Sequence, residues 1–136
     1  MAESPVRAGV IGVGALGRHH ARVWADTAGA TLVGVQDIDA ARAAEVAARH
    51  HCRVFTDAPS LLAAVDAVSI AVPTVDHHAV ARLALARGRD VLVEKPITAT
   101  LEQADELVSL AAARQAILQT GHIDRFNPAT AALLEA

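Results

Sequence analysis

Val6 to Gly17 reads VRAGVIGVGALG, a short apolar run through Ile11 followed at once by Gly12, Gly14 and Gly17. A buried strand that feeds a tight turn and then a helix fits this order. In such a turn Gly12 permits the sharp bend, Gly14 lets a phosphate approach the backbone, and Gly17 lets helix and strand pack closely. Three glycines at this spacing are weak evidence alone. Their place after an apolar strand and before an apolar-faced helix makes them a dinucleotide signal, against the plainer reading of a turn without a ligand.

Outward from the turn, strands and helices alternate. Arg18 to Thr27 reads as a helix with Leu16, Val23, Trp24 and Thr27 on one stripe, and Gly29 ends it. Thr31 to Gln36 is a second strand, and Asp39 is the expected cap of a helix from Ala40 to His50. Arg53 to Phe55 and Ala67 to Ala71 follow as strands, separated by a short helix from Ser60 to Ala64 that Asp57 and Pro59 start. Helix His77 to Ala86 turns Val80, Leu83 and Ala84 inward, and Gly88 breaks it before strand Asp90 to Val93. Thr100 and Gln103 cap Leu101 to Ala113, whose inner face is Leu107, Val108 and Ala111, and Ile117 to Thr120 is the sixth strand.

Strands that are apolar throughout, rather than alternating, belong to a parallel sheet covered on both faces. The expected fold is therefore α/β: a Rossmann-like doubly wound parallel sheet in three layers, α/β/α. Residues 1–121 are read as the dinucleotide-binding domain. Residues 122–136, a polar loop and the first turns of a helix from Pro128, are read as the start of a linker toward a second α/β domain.

Composition narrows the function classes. The 136 residues are 53% hydrophobic and 20% charged, with eight Gly and five Pro, which excludes a low-complexity or disordered chain. A net charge of -3 gives no basic field for nucleic acid. The single cysteine, Cys52, forms no internal disulfide and is expected to act as a small buried hydrophobe in a reducing compartment. No signal peptide or 18-residue apolar run is present, so a cytoplasmic location away from membranes is expected.

Ligands of doubly wound sheets lie beyond the carboxyl ends of the strands. Asp37 stands there, 25 residues after Gly12, where an acid accepts hydrogen bonds from a ribose and repels a 2′-phosphate. NAD is thus favoured over NADP, provided no nearby arginine compensates; a shift of two residues would exchange Asp37 and Asp39. Candidate cofactor contacts are Gly12, Gly14, Ala15, Leu16, Gly17, Asp37, Pro73, Thr74, His77 and Glu94.

Lys95 is the chain's only lysine, at a strand end, where an ammonium can hold a substrate oxygen or move its proton. Glu94 beside it either orients Lys95 or bonds elsewhere; a solvated pair is the plain alternative. His122 either donates to a substrate oxygen or holds a turn. Arg125 either binds an anionic substrate group or is merely solvated. The pairs His19–His20, His50–His51 and His77–His78 point to different helix sides, so no metal site is expected.

Three stretches together resemble the Gfo/Idh/MocA oxidoreductases: GVIGVGALGRHHA (Gly9 to Ala21), PTVDHH (Pro73 to His78) and EKP (Glu94 to Pro96). The resemblance implies an amino-terminal Rossmann domain, with a second α/β domain outside this chain. It implies NAD or NADP as cofactor, NADP being the less favoured by Asp37, with Gly12, Gly14 and Gly17 on the phosphate loop, Asp37 as the ribose acid, and Lys95 as the catalytic or substrate-orienting lysine. GHIDRFNPA (Gly121 to Ala129) is similar to bacterial members acting on UDP-N-acetylhexosamines, which implies a nucleotide-sugar substrate. The expected function is the cofactor domain of an NAD-dependent sugar or polyol dehydrogenase, inactive alone, in a homo-oligomer assembled through the second domain. The alternatives are an NAD-binding module without turnover and a ligand-free interaction domain.

Overall fold

The computed structural model describes residues 3–136. Six strands, β1 (Val6–Ile11), β2 (Ala30–Gln36), β3 (Arg53–Val54), β4 (Ala67–Ile70), β5 (Asp90–Val93) and β6 (Leu118–Thr120), form one parallel sheet in the order β3-β2-β1-β4-β5-β6. Between them run α1 (Gly17–Asp26), α2 (Ala40–His50), α3 (Ala58–Ala64), α4 (Thr74–Ala86) and α5 (Leu101–Arg114). A 3-10 turn over Ile123–Phe126 and α6 (Pro128–Glu135) follow β6. The expected doubly wound, three-layer architecture is the observed one.

Consecutive strand residues face opposite sides, and here both sides are buried. Val10 joins Val13, Ala21, Val35 and Ala43 in the core beneath α1 and α2, whereas Ile11 joins Leu61, Val68, Ile70, Leu85 and Leu107 beneath α3, α4 and α5. This is why the strands read as mostly apolar runs rather than alternating ones. The chain winds outward from β1 in two directions, so a crevice opens between β1 and β4 at their carboxyl ends.

Caps fix the helix starts that the sequence marked. Asp39 Oδ1 accepts from the Arg42 amide at 3.0 Å, Asp57 Oδ1 from Ser60 at 2.7 Å and Thr100 Oγ1 from Gln103 at 3.3 Å. Arg7 donates from its amide and guanidinium to Asp66, tying the start of β1 to the start of β4. Those bonds, the side-chain one foremost, hold the Asp66 carboxyl at about 2, well below its ordinary range. Cys52 packs half-buried on the α2 core, and burial pushes its thiol up.

Several sequence expectations need correcting. Helix α4 starts at Thr74 rather than His77, because extended Pro73 acts as its N-cap and Asp76 fits the positive end of its first turn. Its inward face is the expected one, with Ala84 buried and Val80 and Leu83 packed partly buried against the same core, and His77, Ala81 and Leu85 are buried beside them. On α5, Val108 is exposed. On α1, the small residues Gly17 and Ala21 touch the sheet, while Leu16 and Val23 stay exposed beside half-buried Trp24. Leu16 and Val23 therefore line an open groove, and Trp24 both borders that groove and packs against the core below α1.

Candidate functional site: a cleft at the β1–β4 crevice

The turn from Gly12 to Gly17 is shaped by two close approaches. Gly12 has φ +84, a left-handed value that costs other residues energy, and a Cβ there would lie 2.8 Å from the Ala71 carbonyl. At Gly17 a Cβ would overlap the Gly12 carbonyl oxygen. The turn is thereby pressed against the end of β4, and α1 begins without a side-chain cap on its N-cap residue, Leu16. Among the described residues the amides of Gly14, Ala15, Leu16 and Gly17 have no acceptor. Gly14, Ala15 and Leu16 line a cleft of about 460 Å³ together with Gly12, Gln36, Asp37, Ile38, Arg42, Ala71, Val72, Pro73 and Asp76.

Asp37 lines the same cleft. Its Oδ2 accepts from the Val13 amide at 2.8 Å and its Oδ1 from the Asp39 amide at 2.8 Å, so the carboxylate is locked to the turn. A carboxylate has about four lone-pair sites, which leaves capacity for sugar hydroxyls. Unpaired amides at a helix start suit a pyrophosphate, and an anchored carboxylate one strand away suits a ribose. The residues present therefore fit a bound dinucleotide, and the class follows: this is a dinucleotide-binding Rossmann domain.

Comparison with known proteins narrows the class. Residues 6–122 match the Gfo/Idh/MocA oxidoreductase family, NAD-binding Rossmann fold, and the chain belongs to that family, with NAD as its cofactor. It is 50% identical over 131 residues to the UDP-N-acetylglucosamine 3-dehydrogenase of Acidithiobacillus ferrooxidans, covering 96% of this chain and 41% of that protein. A crystal form of that enzyme superposes with a TM-score of 0.91 at 49% identity, over 96% of this chain and 43% of the other. Inositol 2-dehydrogenase 1 of Saccharopolyspora erythraea is 37% identical, over 90% of this chain and 38% of that protein. GenD2 from gentamicin A biosynthesis, solved with NAD, gives a TM-score of 0.84 at 32% identity, over 88% of this chain and 35% of the other. The chain thus spans about two fifths of the length of the curated relatives it matches.

Of the residues expected at the cofactor, Gly12, Gly14, Ala15, Leu16, Asp37 and Pro73 line the cleft, with Gly17 packed behind the turn. Thr74 opens α4 beside it without lining it. His77, expected at the cofactor, is instead turned into the protein at 1% exposure: Nδ1 lies 2.8 Å from the Pro96 carbonyl and Nε2 2.9 Å from that of Val72. Both ring nitrogens are committed to joining the loops after β4 and β5. Arg42, Ile38 and Asp76 line the cleft and were not expected there. Arg42 could have been found from spacing, since it stands one helical turn after the cap that follows Asp37.

Glu94 also lies outside this cleft. Its Oε1 is 2.7 Å from His20 Nε2 and its Oε2 accepts from the Lys95 amide at 3.2 Å. His20 Nδ1 meets Ser69 Oγ at 3.2 Å, and Ser69 accepts from Trp24 Nε1 at 2.8 Å. One direction satisfies every group: Trp24 gives its proton to Ser69, Ser69 gives its own to His20 Nδ1, and Nε2–H serves Glu94. This buried chain ties α1 to the loop that carries Lys95.

Glu94, His20 and His122 belong to a second cavity, an apolar groove of about 570 Å³ that also includes Val23, Trp24, Leu92, Ile123 and Phe126. Leu16 borders both cavities. Lys95 is half exposed, with Nζ 3.9 Å from Asp124 Oδ2, and Arg125 is exposed on the same 3-10 turn as Asp124. The structure thus gathers Gly12, Gly14, Ala15, Leu16, Asp37 and Pro73 at one crevice, leaves His77 and Glu94 out of it, and sets Lys95, His122 and Arg125 around the ends of β5 and β6. Among the described residues no cluster of metal-ligating side chains occurs, and no helix is long and apolar enough to cross a membrane.

Proposed function

We propose that residues 1–121 are the cofactor domain of an NAD-dependent dehydrogenase acting on a secondary alcohol of a sugar or polyol, a UDP-N-acetylhexosamine foremost. Residues 122–136 begin the connection to the remaining part of such an enzyme. The observation that carries this reading is the glycine turn, with its unpaired amides and locked Asp37, facing one cleft. The nucleotide-sugar preference is supported by the 50% identity to a UDP-N-acetylglucosamine 3-dehydrogenase.

Bound NAD supplies the hydride acceptor. The turn from Gly14 to Gly17 holds the pyrophosphate, and Asp37 accepts from the ribose. Lys95 as the neutral amine takes the alcohol proton while the hydride leaves to NAD, and the ammonium so formed stays hydrogen-bonded to the oxygen. His122 donates a further hydrogen bond, and Arg125 takes an anionic group of the substrate. Further catalytic groups, and any surface for a homo-oligomer, are on this reading assigned to residues outside these 136, themselves about two fifths of the relatives' length, and the 136 residues alone are expected to bind NAD with little turnover.

The test is Lys95→Ala in a full-length protein carrying this domain, assayed by NADH formation from UDP-N-acetylglucosamine and myo-inositol. Loss of roughly a hundredfold or more in kcat is expected, with NAD affinity retained. Unchanged kcat would remove Lys95 from the chemistry, and absence of turnover with both alcohols in the unmodified enzyme would remove the substrate class.

A further inference from the structure

Arg42 is the only cation among the described residues that line the cofactor cleft. It is 42% exposed, and its Nη1 lies 4.0 Å from where a Cβ of Gly14 would stand, so it overlooks the phosphate turn. An arginine so placed beside the ribose acid is the group that accommodates a 2′-phosphate in NADP-binding domains. Asp37 alone therefore does not explain a preference for NAD. The availability of the Arg42 charge decides it.

That charge is taken twice. Nη1 lies 3.5 Å from Asp37 Oδ1, and Nη2 lies 3.5 Å from Asp39 Oδ2. The two carboxylates differ in freedom. Asp37 is 5% exposed with both oxygens on backbone amides, whereas Asp39 is 46% exposed. Asp39 uses Oδ1 for the cap of α2 and has Oδ2 left to face the guanidinium. Asp37 and Asp39 thus both pair with Arg42, and Asp76 adds a further carboxylate to the cleft, before a 2′-phosphate adds about two more negative charges.

We propose that Asp39 is a cofactor-specificity residue: beyond capping α2, it neutralises Arg42 and so denies a 2′-phosphate its cationic partner. This rests on the reading of the cleft as an NAD site. Asp39→Asn keeps the capping oxygen and removes the charge; Asp39→Ser keeps a good cap with a shorter side chain.

The experiment measures dissociation constants for NAD and NADP by calorimetry in one low-salt buffer, on the 136-residue chain. The unmodified chain, Asp39→Asn, Asp39→Ser and the double variant Asp39→Asn/Arg42→Gln are compared. The ratio of the NADP constant to the NAD constant should fall about fivefold in both single variants, the scale of one partly exposed charge pair, and return in the double variant. An unchanged ratio in both single variants, or a fall that persists without Arg42, would overturn the proposal. Loss of the folded circular dichroism signal in both would assign the carboxylate to stability and overturn it as well. Failure of the unmodified chain to bind either nucleotide would instead strike the NAD reading itself, and this inference with it.

Discussion

Replacing Gly17 with Ala should destabilise the fold and distort the phosphate turn together. The added Cβ would overlap the Gly12 carbonyl oxygen and lie 2.7 Å from its carbon, and both are main-chain atoms that cannot rotate away. Overpacking relieved by side chains costs roughly 1–3 kcal/mol, so a backbone clash belongs at the upper end, about 3 kcal/mol. Alanine returns less than ~1 kcal/mol through its better helix propensity, leaving about 2 kcal/mol net. For a domain of this size that lowers Tm by about 8 °C. Gly29→Ala is the control: φ there is +82 with no atom within 4 Å, so only backbone strain of ~1–2 kcal/mol applies. The assay is thermal unfolding followed by circular dichroism, with NAD affinity measured on the same preparations. Gly17→Ala should melt below Gly29→Ala and alone lose NAD binding. A Gly17→Ala melting temperature within 2 °C of the unmodified chain would refute the close packing of turn and helix.

Two further outcomes follow from the polar contacts. The Asp66 carboxyl is held at about 2 in the folded chain against an ordinary value of 3.8, so its contribution is complete above that value and is lost as the pH falls toward 2. Denaturation of the unmodified chain and Asp66→Asn should therefore show a stability gap at pH 6 that closes by about pH 2; a gap independent of pH would contradict the Arg7 pairing. Ser69→Ala leaves Trp24 Nε1 and His20 Nδ1 without their shared hydroxyl, which should cost about 1–3 kcal/mol in urea unfolding. Equal stability of Ser69→Ala and the unmodified chain would mean that the buried relay is not formed.

Much of this fold was legible because its signals are local. Apolar runs of four to seven residues mark β1, β2, β4 and β5, and capping residues such as Asp39, Asp57 and Thr100 mark the helix starts. What escaped the sequence depends on which helix face meets the sheet. At α1, Leu16, Val23 and Trp24 form the expected apolar stripe, yet the close approach of Gly17 brings the small Ala21 to the core and leaves Leu16 and Val23 to the groove, with only Trp24 of the stripe packed on the core. The His77 and Glu94 positions were legible as strand ends, but not their orientation, because each is claimed by partners distant in the chain: Pro96 for one and His20 for the other. Arg42 and Asp76 belong to helices that follow different strands, and only the sheet order brings both to one cleft.

The central claim, that the turn after β1 binds NAD through its free amides with Asp37 in the same cleft, is tested most directly by amide NMR of the chain titrated with NAD. Saturable shifts at Gly14, Ala15, Leu16, Gly17 and Asp37, absent in Asp37→Ala at the same NAD concentration, are the predicted result. Saturable shifts confined to the groove residues Val23, Trp24 and Phe126, or no saturable shift at all, would contradict it.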